Sequence, residues 1–388
     1  MRGSLLSICA CIDLVYRLLT HPHDLAAAKG AVNVSGCPAM VFEPASSCAL
    51  ERAVARQAED MEIVITGMVK DPSPAELVRQ IEHHLLLRAD HIILSDNACP
   101  SESRKARLSS NLIAEALQPY IQQGLVTFRK DAQCSNAIEI FPEKNPIGGS
   151  GIALQLLARE RELQQKPGTM IIALDDDEYI VMTNKSQDLR DLRAILLASD
   201  EPSLAMKWRI YGSSGHVCQP TGSVVRHFTQ AIKPVEDMTD AEKNAASDEA
   251  KLFNLNPPCS KHSQKFAVIW QSKEQIMTCD THNCGFPRYN KASKMIAGYS
   301  PPTELAFVAH FAYQSEQHWE AKKKRGRTTN RGTRAGPVPV RYNEVTETRA
   351  QALLDEKISG VADAKLRSCL ADMFGTPPRL MRGHRGAR

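Results

Sequence analysis

From residue 61 onward, short apolar runs alternate with amphipathic stretches, and this alternation sets the expected fold. Glu62-Ile-Val-Ile-Thr66 is a β-branched run that predicts a strand, ended by the turn Lys70-Asp-Pro-Ser-Pro74. Leu77, Ile81 and Leu85 recur at helical spacing and predict a helix from 75 to 87. His91-Ile-Ile-Leu94 predicts a buried strand that runs into Ser95-Asp96-Asn97. A helix over 108–123, with a kink expected at Pro119, precedes a strand at 125–128. A further helix over 152–165 leads through Pro167-Gly168 to Thr169-Met-Ile-Ile-Ala-Leu174, an almost wholly apolar strand that ends in Asp175-Asp-Asp-Glu178.

Beyond residue 200 the pattern loosens. Strands are expected at 204–210, 266–270 and 305–309, a tight loop at Gly212-Ser-Ser-Gly-His216, and an acidic helix or lid at 237–248. Residues 315–324 read as a helix, 325–341 as a basic Gly- and Thr-rich stretch, and 345–375 as an amphipathic helix pair. Strands alternating with helices predict an α/β fold with a mostly parallel central sheet covered on both faces. Such sheets bind ligands at the carboxyl ends of their strands. The two polar clusters that follow apolar strands, 95–97 and 175–178, mark where a site is expected. The chain divides into an N-terminal extension at 1–60, poorly ordered or helical, a main domain at 61–327, and a basic linker with a helical tail at 328–388.

Composition narrows the class. The 388 residues are 43% hydrophobic and 24% charged, which supports a sizeable core and excludes a wholly disordered chain. The net charge of +4 is too small to imply a nucleic-acid partner, and none is expected. Eleven cysteines without a repeated CxxC exclude a zinc ribbon, and they fit either a reducing compartment or a secreted protein with one or two bridges. The apolar run at 3–12 is shorter than the roughly twenty residues of a membrane span. It reads as an amphipathic helix or truncated anchor, so membrane association stays open. Two locations fit, the Golgi or secretory pathway with membrane attachment, or the cytoplasm.

Chemistry concentrates in the acids at 175–178. Four adjacent carboxylates at a buried strand end repel one another unless a cation is present. Hard oxygen donors suit Mn²⁺ or Mg²⁺, with Asp175 and Asp177 converging on one ion. Lys322-Lys-Lys-Arg-Gly-Arg327 offers phosphate contacts. Cys279 and Cys284 are too few thiols for a zinc site.

These residues together resemble glycosyltransferase family 92 and its family-2-like relatives. Asp175-x-Asp177-Glu178-Tyr179-Ile180 is similar to that family's acidic element, and Trp208-Arg-Ile-Tyr-Gly-Ser-Ser-Gly-His216 to its Gly/Ser stretch. His310-Phe-Ala-Tyr-Gln-Ser315 with Trp319, Lys322 and Arg325-Gly326 resembles its closing motif, and His84 with 91–97 an earlier one. Arg88 stands where the family has glycine, Phe311 where it has tyrosine and Gln314 where it has lysine. The resemblance implies a GT-A fold and transfer of a hexose such as galactose from a nucleotide-sugar, UDP-sugar above all, to a glycan or other hydroxyl acceptor, with inversion. It implies Mn²⁺ on Asp175 and Asp177, with a histidine ligand, His282 ahead of His310. Asp96 would meet the nucleoside, Lys322 and Arg325 the diphosphate, and His216, ahead of Asp237 and Asp280, would serve as base. Two other readings of the acids stay open here, a metal-dependent nuclease or phosphotransferase and a nucleotide-sugar-binding protein with a decayed site.

Overall fold

The computed structural model describes residues 36–38, 48, 62–69, 72–96, 104–129, 168–199, 203–234, 237–252, 264–270, 288–289, 295–296, 302–325 and 340–375. The expected helix at 152–165 and the Cys279–Cys284 segment lie outside them. In chain order the elements are β1 (Ile63–Val69), α1 (Pro74–Leu86), β2 (His91–Asp96), α2 (Arg104–Gln122), β3 (Val126–Arg129), β4 (Met170–Asp175), β5 (Glu178–Met182), α3 (Leu189–Ala198) and β6 (Ser203–Ile210). They continue with α4 (Val224–His227), β7 (Gln230–Ala231), α5 (Asp240–Leu252), β8 (Gln264–Ile269), β9 (Arg288–Tyr289), β10 (Met295–Ile296) and β11 (Ala306–His310). After α6 (Glu316–Arg325) a single 3₁₀ turn leads to β12 (Val345–Thr346), α7 (Arg349–Ser359) and α8 (Ala364–Phe374).

The fold is α/β, and its central sheet has the order β3-β2-β1-β4-β8-β6-β11-β5. β3, β2, β1 and β4 pair in parallel, as do β6 and β11, while β8 and β5 run against their neighbours. The sheet is therefore mostly parallel, as the alternation of elements predicts. Along β1 and β4, alternate residues enter two separate apolar clusters. Ile63, Ile65, Met170, Ile172 and Leu174 join the large core, and Val64, Ile171 and Ala173 join a smaller one with Phe266, Val268 and Trp270. Both faces of the sheet are thus buried, which accounts for the unbroken apolar runs. The C-terminal helices contribute Leu353, Leu354, Leu370 and Phe374 to the large core.

One connection shapes the whole sheet. Asp175 ends β4 and Glu178 opens β5, yet β8, β6 and β11 lie between those strands in the sheet. A flat sheet would hold β4 and β5 about 19 Å apart. The chain from Asp175 to Glu178 can span at most about 11 Å. The sheet is curled at this end so that the two strands meet, and the acidic turn closes the gap.

Pro119 lies inside α2, within its last turn and a half. The acidic helix is present but shifted, at 240–252. β5 and α3 carry no separate expectation in the sequence pattern. Arg88 has φ +66°, a left-handed conformation that glycine adopts without steric cost. Two disulfides, Cys37–Cys218 and Cys48–Cys369, join points of the N-terminal segment to the Gly/Ser loop and to α8. Among the described residues no helix is long and apolar enough to cross a membrane.

Two tests follow from this architecture. Arg88→Gly is expected to leave stability equal or raised by up to about 1 kcal/mol, whereas Arg88→Val, β-branched at a left-handed position, is expected to lower it by about 1–2 kcal/mol in urea denaturation. Equal effects would mean that backbone strain at residue 88 is negligible. Non-reducing peptide mapping is expected to recover both bridged cysteine pairs. Cys369→Ser is expected to cost about 2–5 kcal/mol of stability, and quantitative alkylation of Cys48 and Cys369 in the native protein would contradict the pairing.

Candidate active site

The acidic turn stands at the carboxyl edge of the parallel strands. β1 aligns Met68 with Asp175 and Val69 with Asp96, so Asp96 lies two strands away at nearly the same height, about 10 Å across the sheet. At the curled end, β11 sets His310 opposite Glu178 and beside Ile210, the last residue of β6. Ends of four strands therefore converge on residues 175–178.

Each carboxylate of the turn that is turned inward has a cation. Lys265 of β8, fully buried, donates to Asp175 Oδ2 at 2.9 Å and reaches Glu178 Oε2 at 3.2 Å. Lys322 of α6 pairs with Asp177 Oδ2 and also donates to the Ala312 carbonyl at 2.9 Å. His310 Nε2 lies 3.3 Å from Asp177 Oδ1. Burial raises the pKa of Asp177, but the charges of Lys322 and His310 and their hydrogen bonds outweigh it and hold the group well below the usual carboxylate range. Glu178, 0% exposed, goes the other way, because burial lifts it to about 7 despite Lys265. Lys265 stays charged, since its two carboxylates outweigh the cost of burial and raise its pKa.

Helix α6 explains how Lys322 arrives there. Ser315 accepts from the His318 N–H at 3.0 Å at the start of the helix and donates to Gln219 at 2.7 Å. Trp319 and Lys322 then fall on the same buried face, three residues apart. Lys323 lies on another face and pairs with Glu320, and Lys324 is exposed. Phe311 packs against Tyr179 and Tyr211.

The backbone of the turn is held from below by α1. Glu76, Gln80 and His83 form an i, i+4, i+7 stripe on a helix that is buried almost all round. Gln80 Nε2 donates to the carbonyls of Asp175 at 2.6 Å and Glu178 at 2.8 Å. His83 Nε2 donates to the Ile180 carbonyl at 2.7 Å, and His84 Nε2 accepts from the Ile180 N–H at 3.2 Å. The Tyr179 hydroxyl donates to Glu76. Burial holds both imidazoles neutral, lowering His83 to about 4.

The structure brings together Asp175, Asp177, His310 and Lys322 of the residues expected from sequence. Asp96 is buried at the end of β2, two strands from Asp175. His216 is elsewhere: its Nε2 donates to the His227 carbonyl at 3.2 Å and its ring packs edge-on to Phe228. Asp237 is exposed. His282 and Asp280 lie outside the described residues, and nothing is described of the Arg325 side chain. Lys265 and Gln80 carried no signal as site residues, although polar positions at helical spacing inside a core helix are the pattern that marks Gln80.

Among the described residues, no three His, Cys, Asp or Glu side chains close into a metal site. The partial donor set nevertheless suits a divalent ion. Asp177 Oδ1 and His310 Nε2, 3.3 Å apart, are near the roughly 3 Å that separates adjacent ligands around a small divalent cation. Carboxylate and imidazole are donors that Mn²⁺ accepts.

No family model matches the chain, and no curated protein matches it. Solved structures of glucosyl-3-phosphoglycerate synthase from Mycobacterium tuberculosis align weakly. The complex with Mn²⁺, UDP and glucosyl-3-phosphoglycerate shares 14% identity over 58% of this chain and 69% of that one, with a TM-score of 0.23. The complex with Mn²⁺, UDP-glucose and phosphoglyceric acid shares 12% over 61% and 72%, with a TM-score of 0.22. Likeness at this level assigns neither fold nor activity to this chain.

Gln80→Leu removes the shared donor of two buried carbonyls. It is expected to lower stability by about 1–3 kcal/mol in urea denaturation. No loss would mean that the carbonyls find other donors and that α1 does not hold the turn.

Proposed function

We propose that the chain is a divalent-metal-dependent glycosyltransferase of the GT-A type, moving a hexose from a UDP-sugar to a hydroxyl of a glycan or glycoconjugate, with inversion. The observation that carries this reading is the convergence of Asp177, His310 and Lys322 at the carboxyl edge of the parallel strands. The motif order across residues 61–327 supports it independently. Asp177 and His310, with Asp175 beside them, would hold Mn²⁺. Bound there, the ion would supply Lewis-acid neutralisation of the leaving diphosphate.

The chain's own groups account for the rest of the site. Lys322 carries a fixed positive charge to the same edge and would meet donor phosphate as a point charge. Asp96, at the end of β2, stands where the nucleoside would lie. The sheet buries the back of the acidic turn, so the charges of Lys265 and Lys322 act there with little screening from water. The two bridges support folding in an oxidising compartment, which favours the secretory location over the cytoplasm.

The test is donor hydrolysis by the full chain across a panel of nucleotide-sugars, with and without Mn²⁺. Mn²⁺-dependent release of UDP from a UDP-hexose is the expected result. Asp177→Asn is expected to lower it about a hundred-fold or more. Lys322→Ala is expected to raise the donor KM about ten-fold, roughly 1.4 kcal/mol, while Lys324→Ala leaves it unchanged. Absence of turnover with every donor, or equal effects at the two lysines, would contradict the reading.

A further inference from the structure

We propose that Lys265 is the positioning residue of the acidic turn, holding the Asp175 carboxylate against Glu178 and so fixing which oxygens of the turn face the donor. The inference rests on the reading of Asp175 as part of a metal and diphosphate site.

Lysine is almost never fully buried unless it is paired. Lys265 is fully buried, the second residue of a strand whose next four residues are Phe266, Ala267, Val268 and Ile269. β8 is the antiparallel strand inserted between β4 and β6, and this insertion brings the ammonium behind the turn. Three contacts tie the group together. Lys265 reaches Asp175 Oδ2 at 2.9 Å and Glu178 Oε2 at 3.2 Å, and the Asp175 N–H donates to the same Glu178 oxygen at 2.7 Å. The Trp208 ring is close both to Lys265 and to His310. Its centroid is 5.9 Å from Lys265 Nζ and 4.5 Å from the centre of the His310 ring.

The two carboxylates differ in what Lys265 does for them. Glu178 is wholly buried and needs a counter-charge if the strand is to fold around it. The Asp175 side chain is 48% exposed, so its ion pair adds less stability than the buried pair between Lys265 and Glu178. What the second contact does is hold Asp175 in one place. Without it, Asp175 would lie beside Glu178 and Asp177 with no cation of its own and would turn toward solvent. Lys265 and Lys322 thus divide the turn, the sheet lysine fixing its two ends and the helix lysine fixing Asp177.

The test separates folding from positioning with the double variant Lys265→Met/Glu178→Gln. It leaves no unpaired buried charge, and glutamine keeps an oxygen for the Asp175 N–H. Its melting temperature is expected to stay within a few degrees of the wild type. Its affinity for UDP in the presence of Mn²⁺, measured by isothermal titration, is expected to fall ten-fold or more. Wild-type affinity in this stable variant would overturn the proposal and leave Lys265 a fold-holding ion pair. Asp175→Asn, added to both backgrounds, gives a readout that needs no ligand. It is expected to lower the melting temperature of the wild type, where it removes a partner of Lys265, and to raise that of the double variant, where it removes an uncompensated carboxylate. If the wild type binds no UDP with Mn²⁺, the nucleotide-sugar reading falls while this sign reversal still decides the role of Lys265. The same sign in both backgrounds would overturn it.

Discussion

Four consecutive acids crowd like charge at the edge of the sheet, and much of this structure brings basic side chains to three of them. Like-charge repulsion and burial both favour protonation of a carboxylate. Lys265 arrives from the antiparallel strand β8, Lys322 from helix α6 and His310 from the end of β11. Each element is far from the turn in sequence. The local sequence is therefore unstable by itself and is stabilised by the tertiary fold.

The same turn also sets the shape of the sheet. A two-residue connection between strands that belong four places apart forces the curl, and the curl brings β11 and α6 over the strand ends. The backbone of the turn follows an irregular path whose carbonyls need donors. Gln80, His83 and His84 supply side-chain partners from a helix that would otherwise be an ordinary core helix. Charge and geometry are solved by different elements, cations from above and from the sheet, hydrogen bonds from below. A site so constrained has little freedom to rearrange around a ligand, which suits electrostatic work done without reorganisation.

The strands around the site were legible because both faces of the sheet are buried, so β1, β2 and β4 appear as unbroken apolar runs. The place of Asp175 and Asp177 at the carboxyl edge of a central strand was legible because they directly follow such a run. Lys322 was marked by a motif rather than by its surroundings, since a run of three lysines gives no hint which of them turns inward. Trp319, on the same helical face, is the residue that distinguishes it. Lys265 was not legible. Only the pairing of β8 between β4 and β6 explains its burial, and that pairing joins residues 90 positions apart. His282 lies outside the described residues, and the register of β11 against β5 is what sets His310 beside the acids. His216, attractive beside glycines and serines, packs on α4 because the left-handed Ser214 and Gly215 turn the loop that way.

On the proposed function, the acidic turn with His310 and Lys322 is the seat of a divalent ion and a diphosphate. Anomalous diffraction at the manganese edge, on crystals of the full chain grown with Mn²⁺ and UDP, tests it most directly. One strong peak is expected within bonding distance of Asp177 and His310, with UDP phosphate density beside it and Lys322 turned toward that phosphate. UDP bound with no anomalous peak at the turn, or a peak held by other side chains, would contradict it.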